Sequence, residues 1–175
     1  QEEIQLNEET FWSGGPHHNN SDQAKDALPK IRELIFQNKF KDAENLINET
    51  FLTGQHGMKY LTLGSMLLKF PKHDNPYNYY RELDIEKAVA KVRYVKNGVT
   101  YTRTTFSSFA DDVIIVRLEA SEAKALDFSL GYNCPLESQV QVKGNKMIVQ
   151  CKGVEHEGIP AAMHAECQIQ VKTDG

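Results

Sequence analysis

The chain has little that would mark it for nucleic acid, a membrane or a metal. Lys and Arg number 20 against 24 Asp and Glu, a formal charge of −4. There is thus no basic field to hold a phosphate backbone, which speaks against a nucleic-acid partner. No apolar run approaches the roughly 18 residues that a helical membrane span needs. Three cysteines, Cys134, Cys151 and Cys167, stand roughly sixteen residues apart, without the Cys-x-x-Cys or paired-His spacing of a zinc or redox site. Each falls in or at the end of an expected strand, so the simplest account is a small buried hydrophobe, with one disulfide plus one free thiol as the alternative. Walker, Gly-x-Ser-x-Gly and Ser-His-Asp arrangements are missing too, which leaves nucleophilic and phosphoryl chemistry without support. No motif calls for a cofactor.

What the chain does have is the size and balance of a globular domain. Its 175 residues, 40% apolar and 25% charged, suffice for one domain with a substantial core. There is no internal repeat, low-complexity run or clear linker, so residues 1–175 are expected to form one domain. The opening residues are acidic and polar, as in a mature exported chain, and leave location open.

Helical periodicity is confined to a region of about 22–53. Ile31, Leu34 and Ile35 form one apolar stripe, with Pro29 expected in a first turn. Phe40, Ala43, Leu46, Ile47 and Phe51 form a second after Asn38-Lys39. Two short helices are expected, stacking these stripes on a sheet face, before Gly54-Gln55-His56-Gly57 breaks the chain. From Lys59 the texture changes to strands, with a bend or bulge at Gly64. Ala90, Val92 and Tyr94 alternate with Lys91, Arg93 and Val95. Asn97-Gly98 supplies the positive-φ pair of a type I′ turn, so Val89–Lys96 and Val99–Phe106 should pair as a hairpin. Val113–Leu118 and Leu126–Tyr132 follow. Gly144-Asn145 should make a second hairpin of the same kind between Gln139–Lys143 and Lys146–Lys152, and a last strand covers about Ala162–Lys172. Strands about ten residues apart, joined by hairpin turns, predict a mainly β protein, an antiparallel β-sandwich with two short helices near the N-terminus.

The phrase Asn7-Glu8-Glu9-Thr10-Phe11-Trp12-Ser13-Gly14-Gly15-Pro16 holds the single tryptophan. A large ring delivered straight into a Gly-Gly-Pro turn serves as a packed anchor or is offered to a ligand, and its N–H needs a partner. The phrase resembles the opening of the N-terminal β-domain of glycoside hydrolase family 95, the α-L-fucosidase type. Tyr60–Leu68, Tyr80–Ala88, Gly98–Ser108 and Asp112–Leu118 resemble later phrases of that domain in the same order. The likeness covers roughly residues 1 to 120 of the sequence.

The resemblance implies a β-sandwich of the super-sandwich type. It implies that the chain is trimmed at both ends and that its partner is an (α/α)6 catalytic domain in the same parent polypeptide. It further implies inverting hydrolysis of terminal α-L-fucosyl residues of glycans, with α-L-galactosides as the alternative substrate, no metal, and a periplasmic or extracellular location. The family's general acid and its Asp-Asn-Asn relay belong to the later barrel. None of those motifs occurs here, so no catalytic residue is carried over, and the chain alone is expected to be inactive.

The carboxylates agree with that expectation. An inverting enzyme holds its two carboxyls about 6.5–9.5 Å apart across the bond. Glu8 and Glu9 would face opposite sides of a strand, as would Asp111 and Asp112, while Asp84 and Glu86 could share a face. Solvated strand-end charges are the plainer reading of all three pairs. The candidates for substrate or interface contact are Trp12, His17, His18, Tyr77 and Tyr79. Trp12 and the His17–Asn20 loop would meet the barrel, and Tyr77 and Tyr79 would offer rings to a sugar. The bland reading of the tyrosines is a half-buried strand entry with Tyr80 packed. A free-standing carbohydrate-binding module and a pure interaction scaffold are the other two readings.

Overall fold

The computed structural model describes residues 2–18, 20–52 and 57–174. Asn19, the Gly54-Gln55-His56 part of the expected break and Gly175 lie outside the described residues. The order is β1 (Glu2–Trp12), α1 (Ala24–Phe36), α2 (Phe40–Thr50), β2 (Tyr60–Lys69), β3 (Tyr77–Asp84), β4 (Val89–Lys96), β5 (Val99–Ser108), β6 (Val113–Ala120), β7 (Ser129–Asn133), β8 (Ser138–Lys143), β9 (Lys146–Lys152) and β10 (His164–Gln170). The protein is mainly β, with antiparallel sheets and two short helices, as expected. It divides into two compact units. The first comprises Gln1–Ile4, Met66–Gly131 and Lys172–Gly175; the second comprises Gln5–Ser65 and Tyr132–Val171. A three-stranded sheet has the strand order β1-β2-β7.

The first unit is built on the antiparallel meander β3-β4-β5-β6. Asn97 and Gly98 both take positive φ, 51° and 80°, and close the β4–β5 hairpin in the expected register, Lys96 opposite Val99. Period-two alternation then turns Val92 and Tyr94 of β4 and Tyr101 and Arg103 of β5 to one buried face. Val92, Tyr94 and Tyr101 form its core, with Val99, Ala120 and Ala125 packed around them.

The second unit holds the sheet β10-β9-β8 with β9 central. Met147, Val149 and Cys151 are the buried residues of β9. Leu61 of β2 meets this sheet's end, its Cδ1 3.5 Å from where a Cβ on Gly153 would stand. Gly64, at φ +99° in the middle of β2, lets the strand pass against the chain leaving β7. A Cβ there would lie 2.4 Å from the Asn133 carbonyl oxygen and 2.9 Å from Cys134 Cα. The irregularity expected at Gly64 is thus a close backbone approach that only glycine permits.

Four local expectations are corrected. Helix α1 starts at Ala24, so Pro29 stands inside it and not in the first turn; with no N–H it leaves the Lys25 carbonyl without its helical donor. The apolar stripes of α1 and α2 do not bury themselves on a sheet face. The helices pack mainly on each other; Ile31 and Ala43 are buried, and Phe36 and Phe40 are exposed. The β8–β9 hairpin forms, but only Gly144 of its turn has positive φ, the signature of type II′ with glycine first and not of type I′. Asn145 instead accepts a hydrogen bond from Val171 N and donates one back from Nδ2, each 2.9 Å. Finally, β7 begins at Ser129 and not at Leu126.

Candidate functional site

The Trp-Ser-Gly-Gly phrase is tied into the second unit through its backbone. Ser13 is almost fully buried; its N–H donates to Lys59 O at 2.9 Å, and its Oγ accepts from Lys59 N at 2.8 Å. Gly14 N–H donates to Val154 O at 2.7 Å, and Ala162 N–H donates to Gly14 O at 3.0 Å. The two glycines are needed because their surroundings are full. A Cβ on Gly14 would meet Ile159 and Met58 at 3.1–3.3 Å, and one on Gly15 would stand 2.7 Å from Ala162 Cβ. Trp12 itself stays 42% exposed. Its Nε1 donates to Glu9 O at 2.8 Å, and its ring meets Tyr60 edge-on at 5.0 Å. The indole is held in place and one side faces solvent. His17 and His18 are exposed. His17 Nδ1 lies 3.0 Å from Gly15 O, and since a carbonyl only accepts, that nitrogen carries the proton.

Tyr77 and Tyr79 belong to the first unit. Tyr77 pairs with Val95 and Tyr80 with Arg93, so β3 carries one extra residue opposite Tyr94, with Asn78 at φ 52°. This bulge sets Tyr79 beside Tyr94, near-parallel at 6.3 Å. Tyr94 in turn stacks on Tyr101 at 5.4 Å. Tyr77, Tyr79 and Tyr80 all remain about half exposed. Tyr80 is therefore not packed, contrary to the bland reading. Its hydroxyl donates to Glu82 Oε2 at 2.5 Å, which raises its pKa.

The tyrosine ladder leads into a cluster that sequence reasoning missed. His73 sits 4.4 Å from the Tyr101 ring, with Nδ1 2.9 Å from the Tyr94 hydroxyl. Phe70 lies between His73 and Phe128. The Arg103 guanidinium lies over the Phe70 ring at 5.2 Å and pairs with Glu2 at 2.9 Å, while its Nε and Nη1 have no hydrogen-bond partner among the described residues. Burial, followed by the positive charge of Lys96, lowers the His73 pKa. A cavity of about 490 Å³ opens beside Phe70, lined by Lys69, Pro71, Asp127, Phe128 and Ser129. The signal for Arg103 was present, since it shares strand parity with Tyr101. His73 and Phe70 lie outside any periodic pattern.

One carboxylate of each pair is engaged locally. Glu8 Oε2 accepts from Thr10 N and Oγ1 at 2.9 and 2.6 Å. Asp84 ends β3 and accepts from Lys87 Nζ and N at 2.8 and 3.0 Å, and these bonds hold its pKa below the usual value. Glu86 lies beyond β3 in the turn, so Asp84 and Glu86 do not share a strand face. Asp111 accepts from Ser108 Oγ at 2.6 Å, and Asp112 takes φ 50° in the same turn. A general acid needs a raised carboxyl pKa at neutral pH, and the hydrogen bonds at Asp84 act in the opposite sense.

Residues 1–175 match the family described as glycosyl hydrolase family 65, N-terminal domain, and the chain belongs to it: this is the N-terminal domain of a glycoside hydrolase. Within that class its likeness is to fucosidases. It is 32% identical over 152 residues to "Alpha-L-fucosidase 2" of Arabidopsis thaliana, covering 84% of this chain and 18% of the relative. It is 30% identical over 128 residues to "Probable alpha-fucosidase A" of Aspergillus niger, covering 69% of this chain and 16% of the relative. The kinship with the family 95, α-L-fucosidase type, stands on these matches. The chain spans less than a fifth of the length of either relative.

Proposed function

We propose that this chain is the non-catalytic N-terminal domain of an inverting α-L-fucosidase, packing on and supporting an (α/α)6 catalytic domain of the same polypeptide. One observation carries the reading: the whole chain matches a glycosyl hydrolase N-terminal domain, and two fucosidases share its sequence over a small part of their own lengths. The local engagement of Glu8, Asp84 and Asp111 supports a supporting rather than a chemical role. Exposed Phe36, Phe40, Ile85 and Phe109 provide apolar surface of the kind another part of a larger enzyme covers. Trp12 and the His17–His18 turn are the proposed contacts with that part. The parent works outside the cytoplasm, in the periplasm or beyond the cell.

The test is hydrolysis of aryl α-L-fucoside and α-L-galactoside by the full parent polypeptide and by the 175-residue chain, with the anomer released followed by NMR. Inverted fucose from the parent and no turnover by the chain alone is the expected outcome. Turnover by the chain alone overturns the supporting role.

The half-exposed Tyr77 and Tyr79, on the unit that carries the cleft at Phe70, favour a second reading, a module that binds fucosylated glycans directly. Sugar C–H faces stack on such rings, while Lys69, Asp127 and Ser129 would read hydroxyls. Saturable glycan binding by the chain, lost on Tyr79→Ala, would move this reading ahead.

A further inference from the structure

We infer that Cys134 and Cys151 form a closable dithiol, a redox-modification site that links the segment after β7 to the central strand β9. Their Sγ atoms lie 3.5 Å apart, and a disulfide requires about 2.05 Å. Closure requires the two sulfurs to approach by about 1.5 Å. Three features hold the pair in place. Gly64, with no Cβ, admits the Cys134 backbone against β2. Pro135 restricts Cys134 to an extended conformation. Cys151 points inward from β9, its Sγ 3.6 Å from Leu63 O. Cys167 is the wrong partner for Cys151. On β10 it stands opposite Val149, while Ala165 stands opposite Cys151, and such diagonal neighbours on adjacent strands lie about 7–8 Å apart.

The chemistry balances with a low-molecular-weight disulfide as oxidant. The thiolate of Cys134, the less buried of the pair, attacks R–S–S–R, forming a mixed disulfide and releasing one R–SH. Cys151 then gives up its proton and attacks the Cys134 sulfur, expelling the second R–SH. Two protein thiols lose two electrons and two protons, and the oxidant becomes two thiols.

The experiment treats the chain under native conditions with oxidised glutathione, blocks remaining thiols with iodoacetamide and maps peptides by mass spectrometry. The expected product is about 2 Da lighter before alkylation, carries a Cys134–Cys151 cross-link and keeps Cys167 alkylated. Its melting temperature is higher than that of the reduced chain, and dithiothreitol reverses the change. Cys167→Ser closes like the wild type, whereas Cys151→Ser stops at a glutathione adduct on Cys134. A cross-link through Cys167, or three alkylated thiols after oxidation, overturns the assignment. So does a stable adduct on wild-type Cys134 with Cys151 still free. Because the wild-type and Cys167→Ser maps decide the matter, a Cys151→Ser chain that fails to fold leaves the test intact.

Discussion

The Arg103 guanidinium lies 2.9 Å from the Glu2 carboxylate. The pair joins the first strand to the inner face of β5, and the cation also covers the Phe70 ring. Both partners are largely out of solvent. Removing one member of such a pair leaves an uncompensated buried charge, whereas replacing both with apolar groups is far milder. Glu2→Gln should therefore destabilise the chain by about 3 kcal/mol in urea unfolding. Glu2→Gln combined with Arg103→Met should recover most of that loss. A double variant as weak as the single one would mean that the Phe70 contact, and not the charge, is what matters.

His73 should make stability depend on pH. Its neighbours are Tyr94, Tyr101 and Phe70, with the charges of Lys96, Asp127 and Arg103 around them. Its folded pKa lies below the ordinary 6.5, so the unfolded chain binds the proton more readily. The contribution is fully present above pH 6.5 and is lost as pH falls through the lower, folded pKa. The melting temperature should fall as pH drops from 6.5 to the folded pKa and show no further His73-linked fall below it, and His73→Gln should flatten this part of the profile. An unchanged profile in the variant would assign the acid sensitivity to other groups.

The Cys151 thiol titrates the other way. Burial, then contact with Cys134, pushes its pKa up to about 12, with Cys167 adding in the same direction, and all three thiols act electrostatically on Tyr132. Since the folded form holds its proton longer than the unfolded one, this contribution is present below pH 9.0 and is lost as pH rises toward 12. Native-state alkylation of Cys151 should rise about tenfold per pH unit between pH 7 and 9 without levelling. A profile that starts to bend near pH 8.5 would show an ordinary thiol.

Gly64 and Gly98 both take positive φ but should respond differently to alanine. Gly98 faces open space, so Gly98→Ala costs only the left-handed backbone, about 1 kcal/mol. At Gly64 the new Cβ meets the Asn133 backbone at 2.4 Å, and β2 has to move. Gly64→Ala should cost more than about 3 kcal/mol, at the steep end for single substitutions. Equal melting shifts would remove the close approach from the account.

Trp12 and Tyr60 should couple by about 1 kcal/mol in a double-mutant cycle, as edge-on rings do. If Trp12 also contacts the remainder of a larger enzyme, Trp12→Ala will destabilise the full polypeptide more than the chain alone. Equal losses in the two contexts would confine Trp12 to its own unit.

The strands were legible wherever one face is buried and the turn residues are decisive. Val89–Lys96 was read to the residue because Ala90, Val92 and Tyr94 alternate and Asn97-Gly98 stops the strand. The error at Gly144-Asn145 arose because a Gly-Asn pair fits two hairpin turns, and the choice rests on Asn145's bond to Val171, far along the chain. Pro29 was misplaced because helical stripes mark faces and not starting points. The Trp12 phrase was found by composition, but its Ser13 and Gly14 bonds to Lys59 and Val154 are long-range and leave no local pattern. His73 escaped for the same reason, lying in a connection with rings from β4 and β5 closing around it.

The division into two units has a bearing on how the protein is born. The meander β3–β6 is continuous in sequence and complete by Ala120, so its local pairings can form while the rest is still being synthesised. The other unit joins Gln5–Ser65 to Tyr132–Val171 and must wait for β8–β10 to emerge. During that interval β2 can pair only with β1, and the Trp12 turn lacks its bonds to Val154 and Ala162. Slowing translation after β6 would lengthen that interval without changing a single native contact.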